Sequence, residues 1–300
     1  MNPTAIIIGG PTASGKSKLA FELSNKFPSL IINADSMQVY DDLKILTNRP
    51  TDREIRKFSC KLFGFVKYPE ISSLGLWKKE VDKILEREEK KTPIFVGGTG
   101  LYLDSIVNEI SPIPNIPEKI KKKVRKIHKN HGNDFFFEKL KNFGGNFSKN
   151  LRPTDKQRLI RAMEVKIFTG KSIFDWQQKK SKSRFSKIIY IVLNLERQSL
   201  YEKINKRCLE MIDKGVIKEV DGFLKSVDLN KDHPIYKSIG IRTFQKYINK
   251  DCKFDEAIDE FMKETRRYAK RQMTWFRNKA KDSSHLDYLD AKEFILRNLS

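Results

Sequence analysis

The stretch that decides the fold is AIIIGGPTASGKSKLAFEL, Ala5–Leu23. It begins with four apolar residues, Ala5–Ile8, which predict a buried β-strand. From Lys16 onward, and continuing to Phe27, the spacing of apolar residues predicts a helix. Between them stands G-x-x-x-x-G-K-[ST], a phosphate-binding loop in its required context after a strand and before a helix. The loop consists of Gly10, Pro11, Thr12, Ala13, Ser14, Gly15, Lys16 and Ser17.

The chemistry of this loop predicts a bound phosphate but does not identify the molecule that carries it. Glycines allow backbone N–H groups to turn onto phosphate oxygens, and the start of the following helix adds positive potential. Lys16 supplies a point charge, and the Ser17 hydroxyl is suited to bind Mg²⁺. A nucleotide and an isoprenoid diphosphate present similar oxygens, so both are candidate ligands.

Further short apolar segments occur along the chain and indicate more buried strands. Helical patterns separate most of them, and this alternation predicts a parallel sheet with right-handed crossovers. The expected fold class is therefore α/β, with a P-loop NTPase-like parallel sheet flanked by helices. The predicted strands are Ala5–Ile8, Leu30–Ile32, Leu62–Val66, Ile94–Val96 and Ile188–Leu195.

The alternation of strands and helices stops at SPIPNIP, Ser111–Pro117, where three prolines mark a boundary. The sequence that follows is basic and helical in pattern, which predicts an inserted all-helical domain over residues 112–187. Strand character returns after the insertion. Residues 1–111 and 188–300 are therefore expected to form one discontinuous α/β catalytic core.

The net charge of +22 indicates a polyanionic partner. Residues 112–187 hold 21 Lys and Arg against 6 Asp and Glu, so +15 of this charge lies in about a quarter of the chain. A general abundance of solvated lysine is the alternative explanation. The concentration of charge favours a domain that faces nucleic acid.

The composition argues against several other classes of protein. No apolar run approaches the roughly 18 residues that span a bilayer, and Met1–Thr4 lacks the basic start of a secretory signal. Cys60, Cys208 and Cys252 are odd in number and far apart, which argues against a disulfide framework or a zinc site. The chain is expected to be cytoplasmic, without a membrane partner, and monomeric.

Two loops that follow predicted strands carry polar residues. Asp35 comes after the second strand, and ligands of open parallel sheets bind beyond the carboxyl ends of the strands. Its carboxylate is suited to bind Mg²⁺, to accept a proton, or only to cap the next helix. The fourth strand ends in VGGTGLY, where Gly97 and Gly98 permit close backbone approach and Thr99 offers a hydroxyl. Alone, this segment is typical of a tight strand-to-helix turn.

Basic and aromatic residues occur together in two predicted helices. Within Leu151–Ser172, Arg158 and Arg161 lie on one side, where they can straddle phosphates, stack on bases, or only face solvent. In the last helical segment, Trp275 and Phe276 are interpreted as core residues rather than as a platform for bases.

Taken together, these motifs resemble the bacterial tRNA dimethylallyltransferase family over nearly the whole sequence. The matching segments are GPTASGKS at 10–17, DSMQVY at 35–40, TNRPT at 47–51, GGTGLY at 97–102, LRPTDKQRLIRAMEV at 151–165, YEKINKRCLEMIDKGVIKEV at 201–220, IGIRTFQKY at 239–247 and TRRYAKRQMTWFR at 265–277. The family transfers a dimethylallyl group from dimethylallyl diphosphate to N6 of adenosine 37, in the anticodon stem-loop of tRNA. The resemblance implies that the loop grips this diphosphate, and that Mg²⁺ is the cofactor.

The same resemblance implies roles for individual residues. It makes Asp35 the general base for the adenine amine, with Lys16, Thr99 and Arg207 as further catalytic residues. Ser17 takes the usual position of a metal ligand. The implied tRNA contacts are Asp35, Ser36, Met37, Gln38, Thr99, Gln157, Arg158, Leu159, Ile160 and Arg161.

Other functions fit parts of the sequence. A P-loop kinase for nucleosides or other small molecules would share the fold and the loop, but it would bind ATP. A prenyltransferase for free adenine nucleotides would not need the basic insertion, and a non-catalytic RNA-binding protein would use the loop only as a phosphate clamp.

One segment departs from the family pattern: many members carry a histidine pair followed by Leu and Asp where this chain has FSCKLFGF, Phe58–Phe65.

Overall fold

The computed structural model describes residues 3–108, 111–143, 151–178 and 183–299. Its strands form one parallel sheet in the order β3-β2-β4-β1-β5-β6. The strands are β1 Thr4–Gly9, β2 Ser29–Asn33, β3 Cys60–Lys61, β4 Thr92–Val96, β5 Lys187–Leu193 and β6 Ser284–Leu286.

Helices connect the strands and continue beyond them. In the described ranges they are α1 Lys16–Ser24, α2 Asp52–Lys57, α3 Leu74–Arg87, α4 Gly100–Val107, α5 Glu118–Asn142, α6 Lys156–Thr169, α7 Ile173–Gln177, α8 Arg197–Asp213, α9 Val216–Ser226, α10 Ile241–Ile248, α11 Phe254–Lys279 and α12 Tyr288–Leu299. None of the helices in these ranges combines the length and the apolar content needed to cross a membrane.

The chain divides into two compact units. The first consists of Met1–Val107 and Arg184–Ser300 and contains the whole sheet. The second consists of Asn108–Ser183 and contains α5, α6 and α7.

Strand β1 lies at the centre of the sheet because apolar residues on both of its faces are covered by helices. It pairs with β4 and β5, where Ile6 is opposite Ile94 and Ile189. Ile7 packs into the core on the side of α8 and α11, whereas Ile6 and Ile8 pack into the core on the side of α1 and α12. This arrangement confirms the predicted α/β fold with a parallel sheet.

The strands at the two edges of the sheet differ from the prediction. The third strand was predicted at Leu62–Val66, but β3 lies just before it, at Cys60–Lys61. The chain turns there because Leu62 has φ 61° and Gly64 has φ 58°, which removes both from strand geometry. At the other edge, β6 is short and carries the exposed His285, so it lacks the apolar run that predicts a strand.

The second unit has an apolar core of its own, formed between α5 and α6. Gly132, with φ 78°, interrupts the helical geometry of α5. On α6, Asp155 caps the first turn by accepting a hydrogen bond from the N–H of Arg158. The fully or largely buried residues of this core are Val124, Phe136, Leu140, Leu151, Leu159, Ala162 and Met163.

Candidate active site

The phosphate loop connects β1 to α1, as predicted. Gly15 precedes α1 with φ 95°, a left-handed conformation that glycine adopts without steric cost. The side chain of Lys16 folds back over the loop, and its Nζ donates a hydrogen bond to the carbonyl oxygen of Pro11 at 2.6 Å. The amino group of Lys16 therefore lies over the loop.

Burial changes the protonation of Lys16. It lowers the pKa of Lys16 to about 7, while Asp35 raises this pKa and Arg207 lowers it further. Removing an ammonium group from water disfavours its charged form. An anion that binds at the loop would restore the preference for the charged form, so Lys16 gains positive charge when such a ligand arrives.

Arg207 adds a second cation to the loop from α8. Its Nη2 donates a hydrogen bond to Thr12 Oγ1 at 2.6 Å, and burial lowers the pKa of the guanidinium. Four side-chain atoms of the described residues are buried without a hydrogen-bond partner, and two of them, Arg207 Nε and Ser14 Oγ, belong to residues that line the loop cavity. Because buried polar atoms are nearly always satisfied, these two are available to an anionic ligand at the loop.

Asp35 lies in a turn after β2 rather than at the start of a helix. Its N–H donates to Asn33 Oδ1, and its own Oδ1 accepts the N–H of Met37 at 2.9 Å. The helix-capping interpretation is therefore replaced by a turn that fixes the carboxylate. Thr99, after β4, joins this turn, since its Oγ1 accepts the N–H of Ser36 at 2.9 Å.

Gln38 is held by the loop before α2. Its Nε2 donates to the carbonyl oxygens of Thr47 and Asn48, at 2.9 and 3.2 Å. Glu219 on α9 fixes the same loop because its carboxylate accepts the N–H groups of Ile45 and Leu46, both at 2.8 Å. The amide of Gln38 is thus oriented by a backbone that is itself anchored.

Two cavities meet at these residues. The loop cavity, of about 390 Å³, is lined by the phosphate loop and by basic residues that include Lys203 and Lys206. The adjoining cavity, of about 240 Å³, is lined by the Asp35 turn and by apolar side chains that include Met211 and Phe261. The residues that line both cavities are Thr12, Asp35, Gln38, Asn48 and Arg207. A carboxylate and a cation therefore stand at one junction, an arrangement suited to nucleophilic displacement of an anionic leaving group.

Two further residues of this site, both on α11, were not predicted. Tyr268 lines the adjoining cavity, shares a side-chain hydrogen bond with Thr99, and has a pKa that burial raises. Gln272 lines the loop cavity and contacts the phosphate loop. Two sequence signals bear on Gln272: it lies in the matching segment at 265–277, and it is a polar residue on the buried stripe of α11. Phe276 is buried on this stripe, as predicted.

The predicted tRNA contacts at Gln157–Arg161 belong to the second unit. Gln157 and Arg158 are exposed, and Arg158 forms an ion pair with Asp155. Arg161 lies 3.5 Å from the carboxylate of Glu164. Leu159 is fully buried in the core of the unit and Ile160 is partly buried, so the polar side chains of this stretch form its exposed surface.

A metal ion at the loop would depend on oxygen ligands from outside the protein. In the four described ranges, no three His, Cys, Asp or Glu side chains come together as a metal site. Ser17 is exposed and lines the loop cavity, so its hydroxyl is available as one hard oxygen ligand. Mg²⁺ suits such a site because it commonly combines few protein ligands with phosphate oxygens and water.

The segment that departs from the family pattern lies beside the loop. Phe63, from FSCKLFGF, lines the loop cavity. Cys60 of the same segment is buried, and burial raises the pKa of its thiol to about 12. This chain therefore presents an aromatic ring to the loop cavity from this segment.

Known proteins match this chain along nearly its whole length. The sequence profile of the IPP transferase family matches residues 38–279, and that of the isopentenyl transferase family matches residues 3–63. The chain is 43% identical over 278 residues to the tRNA dimethylallyltransferase of Pelagibacter ubique, covering 91% of this chain and 88% of that protein. It is 39% identical over 277 residues to the tRNA dimethylallyltransferase of Bartonella tribocorum, covering 92% and 95%.

Solved structures show the same fold. A tRNA isopentenylpyrophosphate transferase from Bacillus halodurans superposes with a TM-score of 0.70 at 26% identity, covering 100% of this chain and 97% of that one. A eukaryotic dimethylallyltransferase acting on tRNA superposes with a TM-score of 0.84 at 24% identity, covering 95% of this chain and 74% of that one.

Proposed function

The chain belongs to the IPP transferase family and has tRNA dimethylallyltransferase activity, the prenylation of an adenosine in tRNA, and from this premise we propose how its two cavities divide the reaction. The diphosphate of dimethylallyl diphosphate binds in the loop cavity, and the target adenine enters the adjoining cavity. The observation that carries this proposal is that Asp35 and Arg207 line both cavities. The reacting atoms would therefore meet between a proton acceptor and a cation.

The proposed step is a displacement at C1 of the dimethylallyl group. The lone pair of the adenine N6 amine is delocalised into the ring, so the amine must lose a proton as it attacks. Asp35 accepts this proton while the N6–C1 bond forms and the bond from C1 to the diphosphate oxygen breaks. Lys16 and Arg207 stabilise the negative charge that collects on the departing diphosphate.

Two further groups complete the proposed site. The Ser17 hydroxyl would hold Mg²⁺, and the ion, when bound, would supply additional positive charge at the leaving group. The hydroxyl of Thr99 holds the turn that carries Asp35 and Ser36.

The adenine at position 37 is stacked in the anticodon loop, so it must be extruded to reach Asp35, Ser36, Met37 and Gln38.

Mass analysis of tRNA nucleosides tests this proposal. Purified protein, dimethylallyl diphosphate, Mg²⁺ and tRNA are expected to add one C5H8 unit to A37, and tRNA with guanosine at position 37 serves as the control. A protein that leaves A37 unchanged but transfers phosphate from ATP to a small molecule would be a kinase. Transfer of C5H8 to free adenine nucleotides, but not to tRNA, would contradict the assignment of tRNA as the acceptor.

Donor binding is expected to be accompanied by proton uptake at Lys16. The pKa of Lys16 is about 7 without a ligand, and the diphosphate raises it. At pH 8 the free lysine is therefore largely neutral and the bound lysine is charged, whereas at pH 6 it is charged in both states. Titration calorimetry in buffers of different ionisation enthalpy measures this uptake.

The matched variant for this measurement is Lys16→Met. The wild-type protein is expected to take up more protons than Lys16→Met at pH 8, with no difference at pH 6. Equal proton uptake by the two proteins at pH 8 would show that Lys16 does not change its protonation.

We propose that the basic second unit binds the tRNA stem and loop, which is supported by its concentrated positive charge. Replacing Arg158 and Arg161 together by Ala is expected to lower the slope of log K against log salt by up to about 1.4, if both contact single-stranded phosphates. Fluorescence titration of labelled tRNA across a range of salt concentrations measures the slope.

A matched pair of cations provides the control. Lys79 and Lys83 are exposed on α3 and line neither cavity, so their replacement by Ala is expected to leave the slope unchanged. An unchanged slope for the arginine pair as well would mean that these arginines only face solvent.

A further inference from the structure

One buried amide joins the two parts of the active site. Gln272 is 5% exposed on α11. Its Oε1 accepts the N–H of Thr12 in the phosphate loop at 2.8 Å. Its Nε2 donates to the carbonyl oxygen of Gly98, in the turn after β4, at 2.9 Å. Both ends of the amide are thus used, each on the backbone of a different part of the site.

Gly98 is the residue that permits this approach. A Cβ atom at position 98 would lie 2.0 Å from Gln272 Nε2, while its next neighbour outside Gln272 would be Asp35 Oδ2 at 3.5 Å. The backbone of Gly98 does not have a positive φ, so an alanine would fit its conformation. The absence of a side chain at Gly98 therefore serves the contact with Gln272 and not a turn geometry.

Each of the two backbone groups that Gln272 holds is connected by hydrogen bonds or chain neighbours to a proposed catalytic residue, Arg207 or Asp35. Thr12 carries the hydroxyl that accepts the hydrogen bond from Arg207. Gly98 precedes Thr99, which holds the N–H of Ser36 next to Asp35. A shift of either backbone would move a cation relative to a carboxylate at the junction of the two cavities.

We propose that Gln272 is a positioning residue for prenyl transfer, which sets the distance between the diphosphate site and the turn that carries Asp35. The inference rests on the roles proposed above for Arg207 and Asp35. Without the amide, the N–H of Thr12 loses its partner, and the loop relaxes toward another one. Misplacement by about 1 Å far from the bond that reacts can cost about 10²-fold in rate.

A double-mutant cycle tests this role. Gln272→Ala removes the amide, and Gly98→Ala displaces it from the other side of the same contact. Each single variant is expected to lower the single-turnover rate of prenylation by about 10²-fold, with the dissociation constant for tRNA changed by less than about 2-fold. The double variant is also expected to lose about 10²-fold, because Gly98→Ala has nothing left to displace.

Gln245→Ala provides the control. Gln245 is a half-buried glutamine of the same unit, it accepts a hydrogen bond from Tyr236, and it lines neither cavity. Its replacement is expected to leave the single-turnover rate unchanged. Circular dichroism and the melting temperature report whether each variant folds, and Gln272→Met, which fills the volume without the two hydrogen bonds, replaces Gln272→Ala if the alanine variant does not.

Two results would overturn the inference: a wild-type rate in the Gln272 variant, or losses that multiply in the double variant. Either result leaves the proposed function standing if Asp35→Asn and Lys16→Ala still impair transfer. If those two variants retain wild-type activity, it is the proposed function that fails.

Discussion

Replacing Asp35 by Asn is expected to lower the single-turnover rate of prenylation by about 10²–10⁴-fold, the usual contribution of a general base. The amide keeps the shape of the side chain and an oxygen that can accept the N–H of Met37, so the turn is retained. It cannot take the proton of the adenine amine. Rapid-quench measurement with tRNA and dimethylallyl diphosphate both saturating isolates the chemical step.

Asp42→Asn is the matched control for this variant. Like Asp35, Asp42 accepts a backbone N–H with its carboxylate, in this case the N–H of Tyr68 at 3.0 Å, but it lines neither cavity. We expect the control to keep the wild-type rate. If Asp35→Asn also stayed within a few-fold of wild type, only the turn-forming role of Asp35 would remain.

The second large effect is expected from Lys16→Ala. In the proposed site the ammonium faces the diphosphate while it is bound and while it departs, so its loss is expected to lower kcat/KM for dimethylallyl diphosphate by about 10²–10³-fold. Steady-state rates over a range of donor concentrations give this ratio, and the dissociation constant for tRNA is expected to stay near that of the wild type.

Lys26→Ala removes a lysine of the same charge from an exposed position outside both cavities, and it is expected to behave as the wild type. Wild-type use of the donor by Lys16→Ala, at saturating and at sub-saturating concentration, would mean that the loop binds a different ligand.

The parts of the fold that were predicted correctly are those in which local sequence and tertiary environment agree. The apolar run at Ala5–Ile8 forms the centre of β1, and the loop that follows it has the conformation its glycines predict. Strands buried on both faces need continuous apolar residues, and this requirement makes them visible in a sequence. Strands at the edges of the sheet do not need such a continuous apolar run. The prediction therefore misplaced β3 and missed β6.

The candidate site was predicted only in part because some of its contacts depend on packing between distant segments. Asp35 and Thr99 could be expected near the loop, because both follow strands of a parallel sheet. Gln272 could not, since nothing in the α11 sequence reports that its amide meets the backbone at Thr12 and Gly98. A glutamine in the buried stripe of a helix indicates a satisfied polar contact, but not the identity of its partner.

The bond between Gln272 and Thr12 also has a consequence for the time at which the protein becomes active during its synthesis. The two residues are 260 positions apart in the chain. At about 5–20 residues per second, the ribosome adds Gln272 roughly 13–52 s after Thr12. Through that interval the nascent phosphate loop lacks the amide that fixes it. A chain that lacks Gln272 would therefore hold the loop without being able to position the groups that use it, and prenyl transfer would begin only after Gln272 has been synthesised.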